Sequence, residues 1–303
     1  QEGRGMTQGE GRAMERRVLG RTGELVSVVG LGCWQLGGGW GDVAESDALD
    51  VLHAAVDAGV TLLDTADVYG DGRSERLIGR LLAERPDAGL LVATKAGRRA
   101  RPHRQKSYTL GNLSGWVDRS RRNLGLDRLD LLQLHCPPPP VYEDDRVFDA
   151  LDTLVEQGSI RAYGVSVETV EQAMRALQRP RLATLQIILN AFRRKPLEQV
   201  LPAAAAAGVG VLARLPLASG LLSGRYDAST VFPENDHRSF NRGGEVFDIG
   251  ETFSGVPYEV GVAAAREVVQ LTPPGVTTAQ LALRWVIDQP GVTAVIPGAR
   301  TPA

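Results

Sequence analysis

Leu63-Asp64-Thr65-Ala66-Asp67-Val68-Tyr69-Gly70 is the stretch from which the rest of this chain can be read. It continues a short apolar run, Gly59-Val60-Thr61-Leu62, that has the character of a buried strand. Asp64 closes that strand, and Tyr69 follows five residues later on the departing loop. Two later strand-like runs also finish on a polar group: Leu91-Val92-Ala93-Thr94-Lys95 and Leu131-Leu132-Gln133-Leu134-His135. Short apolar runs bounded by turn signals read as strands buried on both faces, as in a parallel sheet. If the strands are parallel, an acid, a phenol, a lysine and a histidine at successive strand ends and loops share one rim. That rim is where a (β/α)₈ barrel carries its catalytic groups.

Working outward, strand and helix alternate. Upstream, Arg17-Val18-Leu19-Gly20-Arg21-Thr22-Gly23 and Leu25-Val26 read as a hairpin with a glycine turn, and residues 28–32 as a first strand. A loop with Gly37, Gly38, Gly39 and Gly41 precedes a helix at 46–59, for which Ser46 is the expected cap. Downstream, helices are predicted at 74–83, 114–124, 147–157, 168–177 and 197–207, with strands at 160–166, 184–190 and 209–213 between the later ones. Pro137 to Pro140 forbid helix until about Asp145. Residues 218–257 break the rhythm without periodicity, and loops of that length are functional or mobile. An extra helix at 258–271, a helix capped by Thr277 or Thr278 and running to Ile287, and a last strand at 292–296 complete the chain. Single alternating units of this kind predict a parallel sheet with helices outside. No Gly-x-Gly-x-x-Gly opens a helix after the first strand, so a closed barrel is favoured over an open dinucleotide-binding sheet.

The 303 residues are 43% apolar, enough for a sizeable core, and no apolar run is long enough to cross a membrane. The formal net charge of −2 gives no bulk attraction to nucleic acid or anionic lipid. Two cysteines, Cys33 and Cys136, suit a reducing compartment, so a cytoplasmic protein is expected. No metal-ligand cluster with recognisable spacing occurs in the sequence. Residues 1–13 are expected to be a disordered extension or expression remnant and 14–303 a single barrel domain, either monomeric or homo-oligomeric.

The strand-end residues suggest chemistry. A phenol has an ordinary pKa near 10 and is a weak acid at neutral pH. A lysine beside it would lower that value, an aspartate would hold the lysine in place, and a histidine could orient a carbonyl oxygen. Asp64 and Lys95 alone could equally be a buried ion pair, and His135 alone a core histidine. The basic stretch 97–112, with Arg98, Arg99, Arg101, Arg104 and Lys106, reads either as a solvated loop or as a wall of an anionic-ligand site.

From about Arg16 to Arg300 the chain resembles the aldo-keto reductase superfamily. The resemblance rests on Leu-Asp-Thr-Ala-Asp-Val-Tyr-Gly (63–70), Ala-Thr-Lys (93–95), Leu-Gln-Leu-His (132–135) and Ile-Arg-Ala-Tyr-Gly-Val-Ser (160–166). It extends to Pro-Leu-Ala-Ser-Gly-Leu-Leu-Ser-Gly (216–224), Ala-Leu-Arg-Trp (282–285) and Val-Ile-Pro-Gly-Ala-Arg (295–300). It implies a (β/α)₈ TIM barrel plugged by an N-terminal β-hairpin, and an NADPH-dependent reductase acting on a small-molecule carbonyl substrate. It also implies Tyr69 as proton donor, Lys95 and Asp64 as its tuners and His135 as the carbonyl-orienting group.

For NADPH/NADP the resemblance implies Ser166 and Gln186 at the nicotinamide carboxamide, and Cys33 and Trp34 beside the ribose. Leu217, Gly220 and Leu222 would cover the pyrophosphate, and Arg300 would meet the 2′-phosphate. Three departures from the family pattern stand out. Val167 replaces an asparagine, Arg214 takes the place of an aromatic residue that stacks on the nicotinamide, and the final helix is missing before the chain stops at Ala303. Other readings of the same barrel are a non-catalytic nucleotide-sensing subunit and a lyase or dehydratase. Trp40, Trp116, Phe232, Phe240, Phe247 and Phe253 are candidate walls of the substrate mouth, and Asp236-His237-Arg238 would either clasp cofactor phosphates or cap a loop.

Overall fold

A computed structural model describes residues 13–302, so that of the expected 1–13 extension only Ala13 lies among the described residues. The chain begins with an antiparallel hairpin of β1 (Arg16–Val18) and β2 (Leu25–Ser27), in which Arg17 faces Val26. Eight parallel strands follow: β3 (Leu31–Gly32), β4 (Leu62–Asp64), β5 (Leu91–Ala96), β6 (Leu129–His135), β7 (Ile160–Ser166), β8 (Thr184–Ile188), β9 (Gly210–Arg214) and β10 (Val292–Val295). Each pairs with the next in sequence. The ring closes between its first and last members. Val29 pairs in parallel with Val295, Gly32 pairs with Gly298, and the Gly30 N–H donates to Val295 O at 2.8 Å. The result is the expected barrel.

Helices α1 (Trp34–Gly37), α2 (Glu45–Asp57), α3 (Arg73–Glu84), α4 (Leu110–Leu124), α5 (Asp145–Glu156), α6 (Val170–Ala176) and α7 (Val200–Ala206) lie between successive strands. Three more, α8 (His237–Phe240), α9 (Tyr258–Leu271) and α10 (Thr278–Ile287), lie between β9 and β10. Among the described residues no helix is long and apolar enough to cross a membrane.

The alternation of side chains along a strand explains the two cores. Residues such as Val92, Leu132, Leu134, Val165, Leu185 and Ile187 face outward and pack against the helices. Leu62, Leu91, Ala93, Leu131, Leu212, Ala294 and Ile296 face inward and form a small separate cluster. The hairpin contributes Leu19 and Val26 to that inner cluster, so it plugs the base of the barrel. Moving up each strand by two residues, the inward positions change character. Leu62 gives way to Asp64, Ala93 to Lys95, Leu131 to Gln133 and then His135, and Leu212 to Arg214. The barrel is thus apolar below and polar at the carboxyl ends of its strands.

Gly164, an inward position of β7, shows how tight the interior is. A β-carbon there would collide with the Thr184 hydroxyl and lie 2.6 Å from its carbonyl oxygen. Gly164→Ala should therefore destabilise the fold by about 1–3 kcal/mol. Urea unfolding checks this, and a midpoint equal to that of the parent protein would contradict it.

Several boundaries differ from the sequence reading. α2 starts at Glu45 behind Ala44, so Ser46 lies in the first turn and does not cap it. Glu45 and Asp47 complement the helix dipole there instead. Thr109 accepts from the Asn112 N–H and starts α4 four residues early. The proline run does not exclude helix altogether: Pro139 and Pro140 open a 3₁₀ turn, Pro139–Glu143, where a missing N–H is tolerated. Thr277 is the cap of α10, in a capping box with Gln280.

Candidate active site

The polar upper layer opens into a cavity of about 370 Å³. Asp64 from β4, Tyr69 from the following loop, Lys95 from β5 and His135 from β6 all line it. The Lys95 ammonium donates to Asp64 Oδ1 at 2.5 Å, to the Thr65 carbonyl at 2.9 Å and to the Tyr69 hydroxyl at 3.3 Å. The His135 ring meets Tyr69 edge-on, with centroids 5.8 Å apart. Its Nδ1 is buried and has no partner among the described residues. Asp64 Oδ2 accepts from Gln133 Nε2 at 3.1 Å and Gln186 Nε2 at 2.7 Å, so both carboxylate oxygens are satisfied. Gln133, on the same face of β6 as His135, is a site-supporting residue that the sequence reading passed over. Its position two residues before His135 on the same face was the available signal.

Electrostatics refine the expected tuning. Burial raises the Tyr69 hydroxyl above its ordinary value, and the Lys95 cation is the strongest opposing influence. The net effect is the reverse of the lowering expected from the sequence, because removing the phenol from water outweighs the lysine. Burial also opposes the charge on Lys95, but Asp64 and Tyr69 more than compensate and hold it above the usual lysine value. Burial, followed by the Arg98 and Lys95 cations, keeps His135 well below its ordinary value. At neutral pH the imidazole is uncharged and carries one N–H that it can donate.

Of the other predicted positions, Cys33, Trp34, Ser166, Gln186, Arg214, Leu217, Gly220 and Arg300 line the same cavity. Trp34 stacks along Tyr69 with 6.1 Å between centroids and 19° between planes. The Cys33 thiol is wholly buried, and burial pushes its pKa far up. Leu222 does not reach the cavity. Its side chain is buried in a satellite cluster with Ala218, Leu221, Phe232, Phe253 and Tyr258, so its place is packing. Among the six candidate aromatic walls only Trp40 lines the cavity. Phe232 and Phe253 belong to the satellite cluster, Trp116 packs edge-on against Tyr108, and Phe240 packs on Phe247. Asp236 caps α8 and holds Arg238 at 2.6 Å, and Arg238 joins Arg225 and Arg300 on the cavity wall.

The segment after β9 is sharply curled over this cavity. Ala218, Ser219 and Gly220 have consecutive positive φ values of 49°, 56° and 95°. A side chain at Gly220 would also strike the Tyr226 ring. Ser219 fastens the curl to the long loop, donating to Glu251 O at 3.2 Å and accepting from the Phe253 N–H at 3.0 Å. Strain of this kind concentrates at ligand clamps.

A charged cluster adjoins the tetrad. Arg214 Nη1 pairs with Glu251 Oε2 at 2.7 Å, and Arg98 Nη2 lies 3.2 Å from Glu168 Oε1 and 3.4 Å from Glu251 Oε1. The thiol of Cys136 and the carboxylates of Glu168 and Glu251 come within 4.8 Å of one another, and the two guanidiniums supply the positive charge among them.

Asp67 lies behind the Tyr69 loop, fully buried, and among the described residues neither of its carboxylate oxygens has a partner. Burial, with Glu75 adding to it, pushes its carboxyl from 3.8 up to about 7. The folded state therefore holds a proton that the unfolded chain releases, and this contribution to stability is lost as pH rises from about 4 to about 7. Relative to the parent protein, Asp67→Asn should gain stability over that window and level off above it. A full shift corresponds to a few kcal/mol at roughly 1.4 kcal/mol per unit. Denaturant titrations at several pH values read this directly, and a stability difference independent of pH would contradict it.

A barrel with an acid, tyrosine, lysine and histidine at its carboxyl rim defines a class, and sequence comparison gives the family. The model of the aldo/keto reductase family matches residues 28–303, and the chain belongs to that family. The aldo-keto reductase YhdN of Bacillus subtilis is 31% identical over 294 residues, covering 95% of this chain and 86% of the relative. The glycerol dehydrogenase AKR11B4 from Gluconobacter oxydans superposes with a TM-score of 0.75 at 32% identity, over 95% of this chain and 86% of that one. An aldo-keto reductase from Klebsiella pneumoniae in complex with NADPH superposes with a TM-score of 0.67 at 26% identity, over 96% and 86% of the two chains.

Proposed function

We propose that this enzyme reduces an aldehyde or ketone to the alcohol with NADPH, Tyr69 giving the proton. The observation that carries the reading is the Lys95 ammonium seated between Asp64 and the Tyr69 hydroxyl in the same cavity as a neutral His135. The residues present suit the cofactor. Gln186 spends its amide nitrogen on Asp64 and Gln133, which leaves its carbonyl oxygen to accept from a carboxamide, with Ser166 beside it on the cavity wall. Leu217 and Gly220 lie on the curled segment, and Arg225, Arg238 and Arg300 offer guanidiniums for phosphate. When bound, NADPH supplies the hydride.

The chain's own residues do the remainder. His135 donates its N–H to the carbonyl oxygen and polarises it. Tyr69 transfers its hydroxyl proton to that oxygen as negative charge develops there. Lys95 stabilises the phenolate left behind, and Asp64 keeps Lys95 charged and fixed. Trp34 stacks along the Tyr69 ring on the cavity wall.

The test is an NADPH-oxidation screen over aldehydes, ketones, sugar aldehydes and quinones, run alongside NADH and with alcohol product measured. Carbonyl-dependent oxidation matched by alcohol is expected. Cofactor binding with no turnover on any carbonyl would favour a sensing subunit, and product without net NADPH consumption would favour a lyase.

A further inference from the structure

We propose that the carbonyl substrate carries a carboxylate, and that Arg98 binds it. This assignment rests on the reductase reading and narrows its substrate class. Of the five basic residues in 97–112, only Arg98 lines the cavity. Its charge is felt at both Tyr69 and His135.

The ion pairs around it are unequal. Glu251 is fully buried and committed to Arg214 at 2.7 Å, and burial is outweighed by Arg214 and then Arg98, so its carboxyl stays below the usual range. Lys95 is likewise committed to Asp64. Arg98 is left with two long contacts through a single nitrogen, 3.2 Å to Glu168 and 3.4 Å to Glu251, against roughly 2.7–2.9 Å for a good charge-assisted hydrogen bond. No described residue accepts from its Nε or Nη1, and its side chain keeps 23% exposure.

Glu168, the acid nearest to Arg98, is itself an uneasy anion. It does not line the cavity, and burial raises its carboxyl despite Arg98. A cation held only by two long contacts, on the wall of the same cavity as a proton-donating tyrosine and a neutral histidine, fits a carbonyl compound that carries a carboxylate. Either bidentate edge of the guanidinium includes Nη2, so that carboxylate would take Nη2 together with Nη1 and displace Glu168 from its long contact.

The test uses two aldehydes of matched shape, 4-carboxybenzaldehyde and its methyl ester, with NADPH and the full chain. The quantity read is the ratio of kcat/KM for acid over ester. The ratio is taken within each variant, so it is independent of any general loss of activity. A ratio of about ten- to a hundredfold is expected for the parent enzyme, from the strength of a charge-assisted pair. It should fall to near one in Arg98→Gln, stay intermediate in Arg98→Lys, which keeps the charge and loses the fork, and rise in Glu168→Gln. Equal efficiency on acid and ester in the parent enzyme, or an unchanged ratio in Arg98→Gln or Arg98→Lys, would overturn the assignment alone. Reduction of neither aldehyde by a protein that turns over other carbonyls in the NADPH screen would overturn this assignment alone, whereas turnover of no carbonyl in that screen would overturn the reductase reading and this assignment with it.

Discussion

Lys95→Met should lower the stability of the fold by about 3–5 kcal/mol and abolish turnover. The lysine is 1% exposed and its partner Asp64 is 3% exposed, so removing the ammonium strands a carboxylate in the barrel interior. Gln133 and Gln186 still donate to Asp64 Oδ2, but Oδ1 loses its only side-chain donor among the described residues. The double variant Asp64→Asn/Lys95→Met removes both charges and should recover most of the lost stability while recovering no activity. Equilibrium unfolding of the three proteins measures this. If the single and double variants are equally destabilised, the pair is not the coupled unit described here. If the double variant regains activity, Lys95 has no part in proton delivery.

Tyr69→Phe should lower kcat by about 10²–10⁴-fold, the range for losing a positioned acid. Stability and cofactor affinity should barely change, because the hydroxyl's hydrogen bond in the structure is the 3.3 Å contact with Lys95, and the ring keeps its stacking on Trp34. The raised pKa of Tyr69 also fixes the pH dependence of the parent enzyme. A donor must be protonated, and burial keeps this phenol protonated beyond its ordinary range. Activity should hold across neutral pH and decline only at alkaline pH. His135, held well below its usual value, titrates on the acidic side and adds no break near pH 7.

The barrel was legible because its strands announce themselves. β7 spans Ile160–Ser166 as read from the sequence, and α9 spans Tyr258–Leu271 likewise. Each is bounded by turn or proline signals that local chemistry dictates. The first strand was overestimated, since only Leu31–Gly32 forms a continuous ladder and Val29 joins through an isolated bridge to Val295. The tetrad was legible because each member ends a strand or follows one, so topology alone brings them to one rim.

The charged cluster was not legible. Arg98, Glu168, Arg214 and Glu251 come from four separate segments, and Glu251 sits in the aperiodic stretch 218–257, where neither period nor cap fixes its position. The packing of the Leu222 side chain was not legible for a related reason. Three consecutive left-handed residues reverse the chain just before it and turn its side chain into the satellite cluster.

The central claim is that the Tyr69 hydroxyl delivers the proton that accompanies hydride transfer. Single-turnover oxidation of pre-bound NADPH on mixing with an aldehyde, compared between the parent enzyme and Tyr69→Phe at equal cofactor occupancy, tests it most directly. We expect a fast phase in the parent enzyme and its slowing by at least about a hundredfold in the variant. Equal single-turnover rates in the two proteins would contradict the claim.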